Sequence, residues 1–139
     1  RRFGADITEA GGRVLCRRAP LHGIDIDASQ IPDLVPILAV AMAAAEGESR
    51  ITGAARLRIK ESDRLSAMAA ALTAAGADAA ELPDGLAIRG GKPLHAAKIE
   101  GCNDHRIVMA MTIASALSDG EWTIPAFWQE FERLGGRTR

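Results

Sequence analysis

Lysine is scarce in this chain: Lys60, Lys92 and Lys98 stand against fourteen arginines. With so much alanine and glycine, the imbalance reads as GC-rich codon usage, and a lysine kept at position 60 hints that a compact amine is wanted there. Net charge is also nearly absent, at −1, so no basic field points to nucleic acid or an anionic membrane. The longest apolar stretch, 34–45, is too short to span a bilayer. The two cysteines, Cys16 and Cys102, form no redox spacing, and a reduced cytoplasmic setting is the simplest reading. No pair of His or Cys has ligand spacing, so no metal site is expected. A Gly-rich phosphate loop and a dinucleotide fingerprint are both missing. No signal peptide is visible, and the sequence starts at Arg1 rather than methionine, so the true N-terminus is expected upstream.

What is present suits one ordinary domain with a real core: 139 residues, 47% hydrophobic and 25% charged. The sequence repeats itself with a period of about 73. Phe3-Gly4-Ala5-Asp6 returns as Ala75-Gly76-Ala77-Asp78, Pro20-Leu21-His22 as Pro93-Leu94-His95, and Glu46-Gly47-Glu48 as Asp119-Gly120-Glu121. Units of about 1–75 and 76–139 share one plan. A Gly-Ala-Asp turn leads to a short strand (13–17, then 86–89), a loop and an apolar helix (33–45, then 104–117). A Gly turn and a further strand follow (49–52, then 122–124). Between the units, 62–75 reads as an amphipathic helix with Leu65, Met68, Ala69 and Leu72 on one face and Gly76 closing it. The two apolar helices lack a polar face, which implies burial. The fold class is α/β (α+β), with sheet and helix layers packed together.

The repeat also shows a gap. From Ile51 the first unit runs 25 residues to Gly76, whereas from Ile124 the second reaches Gly135 in 11. About a dozen residues are therefore expected to be missing near Ile124–Pro125.

Three charged clusters open the helix-like runs: Ile31-Pro32-Asp33, Lys60-Glu61-Ser62-Asp63-Arg64 and Asn103-Asp104-His105-Arg106. Helix N-termini carry unsatisfied N–H groups and partial positive charge, so anions settle there. Asp33 either caps its helix or faces a cleft, where its carboxylate could accept a hydroxyl proton. Ser62 or Asp63 can cap the second helix, but capping does not explain the cations Lys60 and Arg64 at that end. Asn103 or Asp104 can cap the third. Arg106 on an apolar helix demands an anionic partner, either a bound carboxylate or phosphate or a structural Asp. His22 and His95 fall at equivalent places in the repeat, and a structural role is the expectation for both.

Asp27-Ala28-Ser29-Gln30-Ile31-Pro32-Asp33, Arg58-Ile59-Lys60-Glu61-Ser62-Asp63-Arg64-Leu65 and Asn103-Asp104-His105-Arg106-Ile107-Val108-Met109-Ala110 closely resemble the 5-enolpyruvylshikimate-3-phosphate (EPSP) synthase family, the 3-phosphoshikimate 1-carboxyvinyltransferases. The resemblance runs over essentially the whole chain and implies part of a C-terminal domain, with the N-terminal domain absent. It implies repeated βαβαββ units in an inside-out α/β barrel, with substrates bound between two domains. The reaction it implies moves the enolpyruvyl group of phosphoenolpyruvate to the 5-hydroxyl of shikimate 3-phosphate. Phosphate leaves through a tetrahedral intermediate, with no metal or organic cofactor. By position, Asp33 would bind the shikimate hydroxyls and take the 5-hydroxyl proton, and Lys60 would contact shikimate 3-phosphate and the reacting centre. Glu61 would move a proton at the methylene carbon of phosphoenolpyruvate. Arg64 and Arg106 would hold that anion, where glyphosate also sits in this family, with Asn103, Asp104 and His105 in support. A cytoplasmic monomer is the family expectation.

Two departures stand out. The family has a further phosphoenolpyruvate-binding Lys just before the segment matching Pro125-Ala126-Phe127-Trp128, where the repeat shows its gap. Its N-terminal Lys, Ser, Arg and Gln ligands are not in this chain, so the chain alone is expected to be inactive. One alternative is the related enolpyruvyl transferase acting on UDP-N-acetylglucosamine, whose pattern lacks both Lys-Glu-Ser-Asp-Arg and Asn-Asp-His-Arg. Another is a non-catalytic βαβα repeat module for binding or assembly. Intact Asp33, Lys60, Glu61, Arg64 and Arg106 argue against that decay.

Overall fold

Gly11 and Gly12 both take positive φ (57° and 70°), the backbone that a two-residue hairpin turn needs and that glycine adopts without strain. They join β1 (Asp6–Ala10) to β2 (Arg13–Arg17), paired antiparallel from Asp6–Arg17 to Ala10–Arg13. The computed structural model describes residues 2–125. After the hairpin come β3 (Asp25–Asp27), a 3-10 turn (Pro32–Leu34), α1 (Val35–Ala44), β4 (Gly47–Thr52), a second 3-10 turn (Ala55–Ile59), α2 (Arg64–Ala74), β5 (Asp78–Leu82), β6 (Gly85–Gly90) and α3 (His105–Ser115).

Four strands form one sheet in the order β3-β4-β6-β5, with β3 parallel to β4 and the other neighbours antiparallel. The three helices cover one face, α2 resting on β5 and α1 on β6, while α1 and α3 lie side by side. The core between the layers is aliphatic. Val35, Ala39, Met42, Ile51, Leu65, Met68, Leu72, Leu86, Ile107 and Met111 are all fully buried. Ser49, a buried polar residue on β4, keeps its hydroxyl satisfied by accepting the Ile24 N–H at 3.1 Å. The expected class, α/β with helices layered on a sheet, is the observed one.

The two hairpins begin alike. Gly4 (φ 91°) precedes β1 and Gly76 (φ 86°) precedes β5, and each lies against a histidine ring: His95 occupies the place of a Cβ on Gly76, while on Gly4 the Pro20 carbonyl does so with His22 just behind it. His22 N–H donates to the Phe3 carbonyl at 3.2 Å, and His95 N–H to the Ala75 carbonyl at 3.0 Å. Farther along, Arg50 N–H donates to Ile24 and Thr123 N–H to Ala97, at 3.2 and 3.1 Å. The histidines thus hold structural places at corresponding points of the chain.

Several sequence expectations need adjusting. The helix expected over 33–45 opens as a 3-10 turn and becomes α-helical at Val35, with Pro36 tolerated in the first turn because its missing N–H is not needed there. The strand expected at 122–124 is only a bridge between Lys98 and Thr123. The two apolar helices are not enclosed all round: Leu34, Ile37, Met109, Ile113 and Leu117 remain between 38% and 54% exposed. The gap expected near Ile124–Pro125 falls at the edge of the described residues, and Phe127 and Trp128 lie outside them.

Candidate active site

The segment 55–63 carries two of the site's charges, and the turn between β5 and β6 holds it in place. Asp84 accepts the Gly53 N–H on its carboxylate (2.9 Å) and the Ala54 N–H on its carbonyl (2.7 Å). Arg58 donates to the carbonyls of Pro83 (2.9 Å) and Leu82 (2.6 Å) and to the carboxylates of Glu81 (2.6 Å) and Asp63 (2.9 Å). The Glu81 hydrogen bond leads in raising the Arg58 pKa above its ordinary value. Asp63 also caps α2, taking the Ser66 N–H at 3.1 Å. The chain thus enters α2 in a fixed direction, with Lys60, Glu61 and Arg64 at the same end of the helical layer as Asp33 and Arg106.

There the charges converge on Arg64, whose side chain is only 2% exposed. Nε–H donates to Asp104 Oδ2 (2.7 Å), Nη1–H to Asp33 Oδ1 (3.0 Å) and Nη2–H to Glu61 Oε2 (2.6 Å). Three carboxylates from three different elements therefore meet one guanidinium. A buried charge is costly unless paired and hydrogen-bonded. Here every nitrogen of the fork has a partner.

Arg106 joins through Asp33, its Nη2 lying 3.3 Å from Asp33 Oδ2 and its Nη1 donating to the Asp33 carbonyl at 3.3 Å. Asp104 is fully buried and caps α3, Oδ1 accepting the Arg106 N–H at 3.0 Å; Oδ2 also accepts the Ser62 hydroxyl at 3.0 Å. Burial pushes the Asp104 pKa up. The Arg64 hydrogen bond, the Arg106 N–H, the Arg64 charge and the Ser62 hydroxyl outweigh it and hold the carboxyl below its usual 3.8.

Asp33, Glu61, Arg64, Asp104 and Arg106 are thus brought into direct contact. Asp33 does not cap: it sits inside the 3-10 turn, and the cap position, Ile31, makes no side-chain hydrogen bond. Ser62 does not cap either, since Asp63 does and Ser62 turns to Asp104. Lys60 is exposed beside the cluster, with no hydrogen bond or ion pair among the described residues. Asn103 stands in an exposed left-handed turn (φ 58°) and is not the cap; His105 is half-buried as the first residue of α3. The anionic partners of the two arginines are protein carboxylates here, which for Arg106 is the structural pairing that the sequence left open. Sequence reasoning missed Arg58 and Ser62 as organisers. Arg58 could have been flagged as a further cation within the motif, but apart from Asp63 its partners lie 23 to 25 residues away, where nothing local marks them.

Beside the cluster, a groove of about 440 Å³ runs between α1 and α3, with Asp33 and Arg106 at its polar end and Leu34, Ile37, Met109 and Ile113 along its walls. A larger concavity of about 730 Å³ lies on the sheet around Asp25, Glu48, Arg50, Asp78 and Arg89, and contains none of the clustered site residues.

On this α/β layer fold a buried guanidinium is thus flanked by three carboxylates, two of them partly exposed. The family model for EPSP synthase (3-phosphoshikimate 1-carboxyvinyltransferase) matches residues 1–128, and the chain belongs to that family. It is 49% identical to a 3-phosphoshikimate 1-carboxyvinyltransferase of Clostridium acetobutylicum, over 86% of this chain and 30% of the relative. To that of Clostridium novyi it is 45% identical, over 98% and 34%. Among solved structures, an EPSP synthase from Acinetobacter baumannii superposes with a TM-score of 0.75 at 33% identity, covering 95% of this chain and 36% of that one. The chain spans about a third of the length of the relatives it matches.

Proposed function

We propose that this chain is one wall of a 3-phosphoshikimate 1-carboxyvinyltransferase active site, lying in the C-terminal domain as two repeat units of about 1–75 and 76–139. The observation that carries the reading is the convergence of Asp33, Glu61 and Asp104 on Arg64, with Arg106 on Asp33. Family membership supplies the reaction.

In this reading Arg64 and Arg106 hold the phosphoenolpyruvate anion, and Lys60, exposed and unpaired among the described residues, reaches shikimate 3-phosphate and the reacting centre. Asp33 accepts the 5-hydroxyl proton as that oxygen attacks the enol carbon of phosphoenolpyruvate. Glu61, entering this step as the acid, delivers its proton to the methylene carbon, giving the tetrahedral intermediate; its carboxylate then takes a proton back from the new methyl group as the C–O bond to phosphate breaks, and the proton held by Asp33 leaves with the phosphate. Both carboxylates are partly exposed (49% and 38%), so a substrate can reach them. Fixed cations around the developing charge supply the electrostatic part of the rate. The site is completed by an N-terminal domain, and the enzyme acts as a cytoplasmic monomer without metal or cofactor. Among the described residues no helix is long and apolar enough to cross a membrane.

The test is phosphate release from phosphoenolpyruvate by the complete polypeptide carrying this chain. Shikimate 3-phosphate and UDP-N-acetylglucosamine are offered separately as acceptors. Turnover with shikimate 3-phosphate is expected, and turnover with the UDP sugar alone would sink the reading. The 139-residue chain by itself is expected to release no phosphate.

A further inference from the structure

We propose that Asp104 is the positioning residue that aims both clamp arginines, an inference that rests on the function just proposed and refines it. Its two oxygens serve different arginines. Oδ2 takes Nε–H of Arg64, and Oδ1 takes the backbone N–H of Arg106 as the cap of α3. A guanidinium is planar and rigid, so a contact at Nε sets which way the two terminal nitrogens point. Here that contact comes from a fully buried carboxylate, whereas Asp33 and Glu61, at the terminal nitrogens, are 49% and 38% exposed. The inner anchor is fixed and the outer partners can shift. Of five guanidinium N–H groups, three donate to these carboxylates, one from each nitrogen.

The same carboxylate sets the first turn of α3, and with it the point from which Arg106 reaches Asp33. Ser62, just before α2, donates to Asp104 Oδ2 and holds it against Arg64. One buried group therefore ties the start of α2 to the start of α3 and keeps two guanidinium groups at a set spacing. Asp104 supplies this geometry from within the motif that carries Arg106. Its effect should fall on the anion that both arginines hold, and not on the other substrate.

The test uses the complete polypeptide, with KM for phosphoenolpyruvate and for shikimate 3-phosphate measured separately in Asp104→Asn and Ser62→Ala. Asn keeps an acceptor and a helix cap but removes the charge, so circular dichroism should show both variants folded. For Asp104→Asn the expected result is a rise in KM for phosphoenolpyruvate of roughly 10- to 100-fold, since misaimed binding groups cost about that much. KM for shikimate 3-phosphate should stay within about 2-fold, and Ser62→Ala, which loosens the anchor without removing it, should give a smaller rise confined to phosphoenolpyruvate. An equal rise in both KM values would mark a structural role only and overturn the proposal. So would variants whose phosphoenolpyruvate KM matches the parent. A parent protein without turnover on this substrate pair would overturn the underlying function and this proposal with it, a result distinct from an active parent with indifferent variants.

Discussion

Replacing Arg64 by leucine removes one side chain and strands one buried charge. Asp33 and Glu61 are exposed enough to be solvated without Arg64, so their loss of a partner costs little. Asp104 is fully buried and keeps only the Ser62 hydroxyl and the Arg106 N–H. Breaking a buried pair by removing one partner costs about 3–5 kcal/mol, and two surviving hydrogen bonds put this case near 3 kcal/mol. With a urea slope of about 2 kcal/mol per M, the unfolding midpoint of the chain should fall by about 1.5 M at pH 7. The pH dependence identifies the cause. In the parent, Asp104 titrates below its ordinary value, so its contribution is present above that value and is lost as pH falls through the folded one. Without Arg64, two of the four contributions that lower the Asp104 pKa are gone while burial still raises it, so the folded pKa moves up. The variant then suffers most at neutral pH and recovers as Asp104 takes up a proton. The difference between parent and variant should narrow from pH 7 toward pH 4 in urea titrations followed by circular dichroism. An undiminished difference at pH 4, or a midpoint shift below about 0.5 M at pH 7, would refute the stranded-charge argument.

Leu65→Ala, at a fully buried site on α2, should cost about 2–5 kcal/mol in the same titrations, whereas Ile59→Ala, 86% exposed, should stay within about 0.5 kcal/mol. Gly76→Ala should cost at least about 1 kcal/mol in stability, because alanine is strained at φ 86° and its Cβ would lie 2.5 Å from His95 Nε2; His95→Ala in the same chain should relieve the clash but not the backbone strain. Lys60→Ala should leave the thermal midpoint of the complete polypeptide unchanged, since Lys60 has no partner among the described residues, yet lower kcat/KM by about 100-fold if its charge stabilises the reacting centre.

Much of the fold was legible in the sequence because local rules govern it. Arg13–Arg17 is the strand expected, fixed by the Gly11-Gly12 turn. The helix read over 62–75 forms as Arg64–Ala74, trimmed where Asp63 caps it and Gly76 ends it. Other elements gave little local signal. Asp78–Leu82, with two alanines and a glutamate, has weak strand propensity and is a strand because β6 pairs along its length. Asp25–Asp27 is held by β4 in the same way. The open flank of α1 and α3 was not legible either, since an all-apolar helix does not tell how many of its sides are covered.

The sequence by itself determined that helices open close to the three charged clusters, the repeat, and the unusual placement of Arg64 and Arg106 where cations are disfavoured, because propensity, capping and charge act within a few residues. It left open whether Arg106 finds a structural partner, and it named none for Arg64. Only the tertiary structure decided that Asp33, Glu61 and Asp104, drawn from segments up to 71 residues apart, share one guanidinium. The reason is physical: a charge can be buried only where several elements bring compensating groups to it at once, and that meeting is set by how α1, α2 and α3 pack on the sheet.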